Sequence, residues 1–217
     1  MSIMSNLHSK EELNKLYNSR YVDLVMDNDY DAGEPLAKAI KSVFPSAKSV
    51  LDVGCNNGVH MSWFIDEGFF VKGVDISEAA WEKAVVPQEL ITICDLREPL
   101  PFNGEFDLAY AIEFMEHIEE EALDQIEKNM RLCTPIFIFT PGNQSGTGHF
   151  NMRPVEWWIE KFQGYGWTFL KKESLALHDF LMKPEWDEAQ SRFPFMRKGI
   201  MAFKSPAAHR TIMEKKF

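Results

Sequence analysis

Two carboxylates and two imidazoles in this 217-residue chain have the chemistry for proton transfer or for metal binding. In a helical turn Glu113, Glu116 and His117 would share one face, because residues three and four positions apart are neighbours on a helix. His149 follows in a later glycine-rich segment. An imidazole titrates near neutral pH and can take a proton from a hydroxyl. The set therefore predicts either an acid/base pair or part of a metal site.

The elements that carry these residues alternate between apolar, β-rich runs and helical patterns. Such alternation predicts βαβ units and an α/β fold in which a parallel sheet lies between two layers of helices, a three-layer sandwich. Predicted strands cover residues 49–53, 69–74, 90–94, 106–111, 135–140, 167–171 and 199–204. Predicted helices cover 59–67, 77–84, 119–132 and 154–165, and two more flank an irregular acidic stretch at 27–34.

The first predicted strand runs directly into a loop of the kind that holds a nucleotide. Asp52 ends the apolar run, and Gly54 and Gly58 bracket the loop. Glycine lets the backbone approach a ligand closely, and Asn56 is of a type that tolerates a left-handed conformation. A dinucleotide fingerprint aligned from Gly54 would need glycine in place of Asn56 and Val59, so the loop departs from that pattern.

Asp52, Gly54 and Gly58 instead resemble motif I of the class I S-adenosylmethionine (SAM)-dependent methyltransferases, from which Asn56 departs. The order and spacing of the following strand ends fit the same family, and the resemblance covers nearly the whole chain. It implies a Rossmann-like, seven-stranded, mostly parallel sheet with a final antiparallel strand. It also implies SAM as the cofactor.

Acids at the ends of the next strands complete the cofactor site that this resemblance implies. Asp75, followed by Ile76, lies about twenty residues beyond the glycine loop, where an acid can bind both ribose hydroxyls. By the family pattern, Asp95 would meet the adenine amino group, with Leu96 against the ring. Ala111 at the end of the fourth strand would lie near the sulfonium.

Glu113, Glu116 and His117, followed by His149, also resemble the metal-binding arrangement of the small-RNA 2′-O-methyltransferases. By that resemblance the four residues would hold Mg²⁺, Mn²⁺ or Zn²⁺, which accept mixed carboxylate and imidazole ligands. The Glu-His pair is similar to that of the ubiquinone-pathway O-methyltransferases as well. The alternative is a metal-free site in which His149 is the general base and His117 and Glu116 are further catalytic groups.

Composition and charge limit the partners. The net charge of −10 disfavours nucleic acid, whose binding depends on neutralising phosphates. Without a membrane-length apolar run or a signal-peptide core, we expect a cytoplasmic protein with no membrane partner. The length suits a single domain, 1–217, with an N-terminal helical cap at 1–45. An aromatic-rich connection at 173–198 either covers the core or lines the acceptor site.

The predicted function is methyl transfer from SAM to an oxygen of a small molecule, such as a sugar or glycan precursor. Two alternatives stay open: a metal-dependent RNA 2′-O-methyltransferase, and a non-catalytic cofactor-binding relative that serves as an interaction partner. A base N-methyltransferase is disfavoured, because residues 113–116 read Glu-Phe-Met-Glu where such enzymes carry Asn/Asp-Pro-Pro-aromatic. The sequence leaves the acceptor and the oligomeric state open.

Overall fold

A computed structural model describes residues 8–101, 106–142, 146–187 and 199–206, and within 25–31 it describes the backbone alone. The strands are β1 Ser49–Val53, β2 Phe70–Asp75, β3 Ile91–Ile93, β4 Leu108–Ala111, β5 Ile136–Phe139, β6 Thr168–Phe169 and β7 Met201–Lys204. The helices are α1 Lys10–Leu16, α2 Ser19–Val43, α3 Val59–Asp66, α4 Glu78–Glu82, α5 Leu123–Cys133, α6 Val155–Gly164 and α7 Lys171–Leu181.

The strands form a seven-stranded sheet in the order β3-β2-β1-β4-β5-β7-β6. β1 to β5 pair in parallel, whereas β7 pairs antiparallel with both β5 and β6. The predicted sheet, mostly parallel with a final antiparallel strand, is confirmed. Because the strand order reverses between β1 and β4, the loops that follow these strands diverge and leave a crevice at their carboxyl ends.

Neighbouring residues of the central strands face two separate apolar cores. Val50 packs with Leu36 of α2 and Phe64 of α3 on one face of the sheet. Leu51 belongs to the core on the other face, which also contains Phe162 of α6. Helices that cover both faces explain why the parallel strands are continuously apolar in the sequence. None of the described helices is long and apolar enough to span a lipid bilayer.

The N-terminal helices differ from the prediction. α2 continues through residues 27–34, where the acidic composition predicts an irregular stretch, and the chain breaks earlier, where the Asn18 side chain caps α2. Asp and Asn are weak helix formers. However, α2 buries Leu36 and Ile40 in the core and brings Gly33 against the ring of Trp63. Packing of this helix face therefore outweighs the local propensity.

The segment after α6 also differs from the prediction. β6 contains two residues where the sequence predicts a strand over 167–171, and α7 follows it at once. α7 places Leu177 and Leu181, four positions apart, in the core. The first part of the predicted connection at 173–198 is thus helical, and residues 188–198 lie outside the described ranges. The predicted helix at 119–132 begins later, at Leu123, after a 3-10 turn.

Candidate active site

The loop after β1 contains left-handed backbone at two residues that line a cavity. Gly54 has φ = 76° and Asn56 has φ = 49°, so Asn56 adopts the conformation that this residue type tolerates. A Cβ on Gly54 would overlap the ring of Phe114, and the position therefore excludes a side chain. The Oδ1 atom of Asn56 is buried without a hydrogen-bond partner among the described residues. A ligand in the cavity would be a suitable partner for this atom.

Asp75 at the end of β2 holds this loop in place. Its Oδ2 accepts the backbone N–H of Asn56 at 2.8 Å, and its Oδ1 accepts the backbone N–H of Ser77 at 2.8 Å. Burial raises the pKa of Asp75 above its ordinary value, and the hydrogen bonds oppose that rise. Asp75 and the following Ile76 both line the cavity. Each carboxylate oxygen has a second lone pair, so Asp75 can also accept hydroxyl groups of a ligand.

Asp95, which follows β3, is paired within the chain. Nη2 of Arg97 lies 2.7 Å from its Oδ2, and Nε of Arg97 lies 2.9 Å from its Oδ1. Burial acts to raise the pKa of Asp95, but the bonds from Arg97 outweigh burial and lower that pKa. Asp95 and Leu96 line the cavity, as a cofactor role requires. The carboxylate charge is nevertheless already compensated by a side chain that sequence reasoning did not single out.

Three predicted cofactor residues lie behind the cavity wall. Asp52 is buried, and its Oδ2 accepts the hydroxyl of Tyr110 at 2.8 Å. Gly58 is the N-cap of α3, and Ala111 is buried in the sheet. Within the described ranges, the cavity lining does not include these three residues. The hydrogen bond between Asp52 and Tyr110 joins β1 to β4.

The cavity has a volume of about 360 Å³ and follows the carboxyl edge of the sheet. It extends from Asp95 after β3, past Asp75 and Gly54, to Glu113 after β4. α1 and α2 cover it with side chains that are mostly apolar or aromatic: Leu13, Tyr17, Tyr21, Val22 and Leu24. A cavity of this size suits a small-molecule ligand.

Glu116, His117 and His149, which we call the acceptor cluster, meet at the β4 end of the cavity. Each offers one ligand-type atom within 4.8 Å of the other two. The ring centroids of His117 and His149 are 4.7 Å apart and the rings are nearly perpendicular. Three of the four residues predicted to bind a metal are therefore close together, and they include all three predicted catalytic residues.

Glu113, the fourth predicted metal ligand, lies outside this group. The segment Met115–His117 forms a 3-10 turn, and Glu113 precedes it with φ = 50°, so the shared α-helical face does not form. Its backbone N–H donates to Oγ1 of Thr140, and that hydroxyl donates to Oε1 of Glu113, both at 2.9 Å. Glu113 thereby joins the loops that follow β4 and β5.

Burial and neighbouring charge shift the pKa values of two members of the acceptor cluster, Glu116 and His117. Glu116 is fully buried, and in the described part of the chain no donor reaches either carboxylate oxygen with good hydrogen-bond geometry. Burial, followed by the nearby charge of Glu113, raises the pKa of Glu116 to about 8. Burial, followed by the charge of His149, lowers the pKa of His117 to about 4. At neutral pH, Glu116 is therefore mostly protonated and His117 is uncharged.

Sequence reasoning missed several residues of the cavity wall. The hydroxyl of Tyr17 lies 3.0 Å from Nδ1 of His117. Glu119 Oε1 accepts the backbone N–H of His8 at 3.2 Å and lies 3.4 Å from Nη1 of Arg97. These partners are far apart in sequence, up to 111 positions, so no local spacing indicates them. Only the contact between Asp95 and Arg97, which are two positions apart, could have been inferred from the sequence.

Comparison with known proteins identifies the family. Residues 27–177, more than half of the chain, match a family described as a methyltransferase domain. The chain belongs to the SAM-dependent methyltransferases. The predicted family, enzyme class and Rossmann-like fold are thereby confirmed.

Relatives of this methyltransferase act on different acceptor atoms. It is 31% identical over 105 residues to a dTDP-4-amino-2,3,4,6-tetradeoxy-D-glucose N,N-dimethyltransferase from Saccharopolyspora spinosa, covering 46% of this chain and 41% of that one. It is 34% identical over 86 residues to the ubiquinone biosynthesis O-methyltransferase of Thiobacillus denitrificans, covering 36% of each. The methyltransferase thus spans less than half the length of these curated relatives.

A solved structure supports the fold. Magnesium protoporphyrin IX methyltransferase from Synechocystis PCC 6803, determined with bound SAM, matches at a TM-score of 0.58 and 17% identity. The match covers 76% of this chain and 89% of that chain.

Proposed function

We propose that this SAM-dependent methyltransferase methylates an oxygen of a small molecule, such as a sugar or glycan precursor. The observation that carries the proposal is the continuous cavity from the Gly54 loop to the acceptor cluster. A cofactor-type loop at one end and proton-exchanging side chains at the other suit transfer to a nucleophile that must lose a proton.

The residues at the β1–β3 end of the cavity fit SAM. Gly54, with positive φ, presents backbone without a side chain at the cavity wall, and the buried Oδ1 of Asn56 has no partner in the described chain. Asp75 lines the same wall and has the acceptor oxygens that ribose hydroxyls need. When bound, SAM supplies an electrophilic methyl group on its sulfonium. The protein has to hold the cofactor, align the acceptor and receive the acceptor's proton.

The three residues of the acceptor cluster can play different parts in removing the acceptor's proton. With a pKa of about 4, His117 is a weak base, and Glu116, with a pKa of about 8, holds its own proton at neutral pH. We therefore assign the general base to His149, which lines the cavity. Protonated Glu116 can donate a hydrogen bond to the acceptor oxygen, and uncharged His117 can orient it.

Metal-assisted transfer, including RNA 2′-O-methylation, is the second candidate. The observation in its favour is that Glu116, His117 and His149 each offer a ligand atom within 4.8 Å of the others. These three residues would hold Mg²⁺, Mn²⁺ or Zn²⁺, and such an ion would lower the pKa of an acceptor hydroxyl. The buried carboxylate oxygens of Glu116, which lack a well-placed donor in the described chain, fit a cation as well as a proton.

The test is methyl transfer from labelled SAM to a panel of acceptors, with and without EDTA. The panel contains a dTDP-hexose, its 4-amino counterpart, catechol, and a short RNA with a 3′-terminal diol. We expect transfer to a hydroxyl of the hexose or catechol that EDTA leaves unchanged. His149→Ala should lower turnover by about 100-fold and change SAM affinity little, because general bases contribute that order of rate.

His178→Ala provides the matched control, because His178 lies on α7 and does not line the cavity. Transfer to the amino sugar alone would contradict O-methylation. Transfer that stops in EDTA and returns with Mg²⁺ or Mn²⁺ would contradict the metal-free site and support the second candidate.

A further inference from the structure

Tyr17 joins the N-terminal helices to the acceptor cluster. It is the C-cap residue of α1, and its side chain is partly buried in the cavity roof. Its hydroxyl lies at hydrogen-bond distance, 3.0 Å, from Nδ1 of His117. The two rings also meet edge to face, with centroids 5.6 Å apart and an interplanar angle of 77°. Either tautomer of His117 can form this hydrogen bond, as donor or acceptor.

The backbone of Tyr17 makes a second contact toward the cofactor end. Its carbonyl accepts the hydroxyl of Ser77 at 2.7 Å, and the backbone N–H of Ser77 donates to Asp75. Ser77 also caps α4 by accepting the N–H of Ala80 at 3.1 Å. The hydroxyl and the carbonyl of Tyr17 thus make hydrogen bonds at different ends of the cavity.

A loop on the far side confines the same hydroxyl. A Cβ on Gly148 would lie 2.5 Å from the Tyr17 hydroxyl and 3.1 Å from Nδ1 of His117. The segment that carries His149 therefore closes directly over the Tyr17–His117 contact. Three elements meet here: the end of α1, the 3-10 turn after β4, and the loop after β5.

We propose that Tyr17 is a positioning residue for methyl transfer, whose hydroxyl fixes the ring of His117 within the acceptor cluster and whose carbonyl anchors the N-terminal helices beside Asp75. This inference rests on the proposed function of the acceptor cluster. It predicts that the side chain of Tyr17 acts on turnover, whereas its backbone acts on the cofactor end.

Tyr17→Phe separates these two effects, because it deletes the hydroxyl and keeps the ring and the carbonyl. We expect turnover with the panel's hydroxyl acceptor to fall about tenfold, the consequence of losing one hydrogen bond to a catalytic group. The affinity for S-adenosylhomocysteine (SAH), measured by calorimetry, should stay within about twofold, because Tyr17→Phe keeps the carbonyl that accepts the Ser77 hydroxyl, and one hydrogen bond contributes only about 1 kcal/mol. In the SAH-bound protein, the His117 ring nitrogen NMR signals should shift.

Tyr165→Phe is the matched control, because its hydroxyl bonds Asp124 at 2.6 Å and Tyr165 does not line the cavity. The NMR signals that disappear in His117→Gln are those of the His117 ring, so this variant assigns them. In the unsubstituted protein, the Tyr17 hydroxyl proton should show a nuclear Overhauser effect to the His117 ring, a measurement that needs no variant to fold.

Unchanged His117 signals in Tyr17→Phe, or equal losses of turnover in Tyr17→Phe and Tyr165→Phe, would overturn the inference. The NMR measurements use SAH and need no acceptor. Failure of transfer to every acceptor in the panel would therefore overturn the proposed function, while the His117 signals would still decide the Tyr17 contact.

Discussion

The two ends of the cavity differ in how their charges are compensated. At the cofactor end, Asp75 accepts two backbone N–H groups and Asp95 is bound by Arg97. At the acceptor end, Glu116 is fully buried without a well-placed donor among the described residues, and burial shifts its pKa to about 8. The carboxylates of the first end are therefore held by hydrogen-bond donors, whereas Glu116 at the second end changes protonation near neutral pH.

This difference matches two chemical tasks. A cofactor is bound best by groups that are already oriented and already charged, because little reorganisation is then needed. A group that exchanges a proton works best when its pKa lies near the working pH. Burial, followed by the nearby charge of Glu113, gives Glu116 the second property, because both penalise its charged form.

The largest expected effect comes from adding a side chain at Gly54, in the loop of the cofactor end. Gly54→Ala should abolish detectable SAH binding in calorimetry, because the new Cβ would overlap Phe114, which itself lines the cavity. The left-handed backbone adds a strain of roughly 1–2 kcal/mol. Displacing Phe114 to relieve the overlap would push its ring into ligand space.

Gly68→Ala separates strain from overlap, because Gly68 also has positive φ, 86°, but a Cβ there meets nothing within 4 Å. We expect it to lower stability and leave SAH affinity unchanged. Equal losses of SAH affinity in both variants would mean that backbone strain, and not the overlap with Phe114, weakens SAH binding.

A smaller effect should distinguish the two acids of the cofactor end. Asp75→Ala should weaken SAH binding by roughly 100-fold, the loss of two charge-assisted hydrogen bonds. Asp95→Ala should weaken it by about tenfold, because Arg97 already compensates this carboxylate and competes for its oxygens. Calorimetry with SAH measures both. Thermal unfolding checks that Asp75→Ala keeps its fold after Asn56 and Ser77 lose their acceptor.

A larger loss of SAH affinity from Asp95→Ala than from Asp75→Ala would reverse the assignment of the two acids. Unchanged affinity in Asp75→Ala would remove Asp75 from ribose binding altogether. Asp75→Asn keeps the shape and one acceptor oxygen, so we expect an intermediate affinity.

The presence of Gly54, Asn56, Asp75 and Asp95 in one cavity wall was predictable from the sequence, because local patterns encode it. Asp75 ends β2, Gly54 follows β1 and Asp95 lies shortly after β3. Parallel strands bring their carboxyl ends to one edge of the sheet. Gly54 and Asn56 were informative because few residue types tolerate positive φ. The strands, their order along the chain and the acids after them could therefore be read before the structure was known.

The roof of the acceptor end was not predictable in the same way. Tyr17 reaches His117 across 100 positions of sequence, and no periodic pattern connects them. The continuous α2 was missed for a related reason, since its stability comes from packing Leu36 and Ile40 into the core and not from its acidic segment. Long-range packing decides both features.

The smallest expected effect concerns stability at the acceptor end. Folded Glu116 has a pKa of about 8 against 4.5 in the unfolded chain, so between these pH values the folded state holds a proton that the unfolded state has lost. The free energy of unfolding should therefore decrease as pH rises through this window. His117 acts oppositely, because its pKa falls from 6.5 to about 4, but only below pH 6.5.

Between pH 6.5 and 8, Glu116 should thus lower the free energy of unfolding by up to about 1.4 kcal/mol per pH unit. Urea unfolding in EDTA at several pH values across this range measures the slope. Glu116→Gln should flatten it, whereas Glu160→Gln, an exposed substitution on α6, should leave it unchanged. A slope that persists in Glu116→Gln would mean that another group titrates. The acceptor end would then resemble the cofactor end, with Glu116 permanently charged.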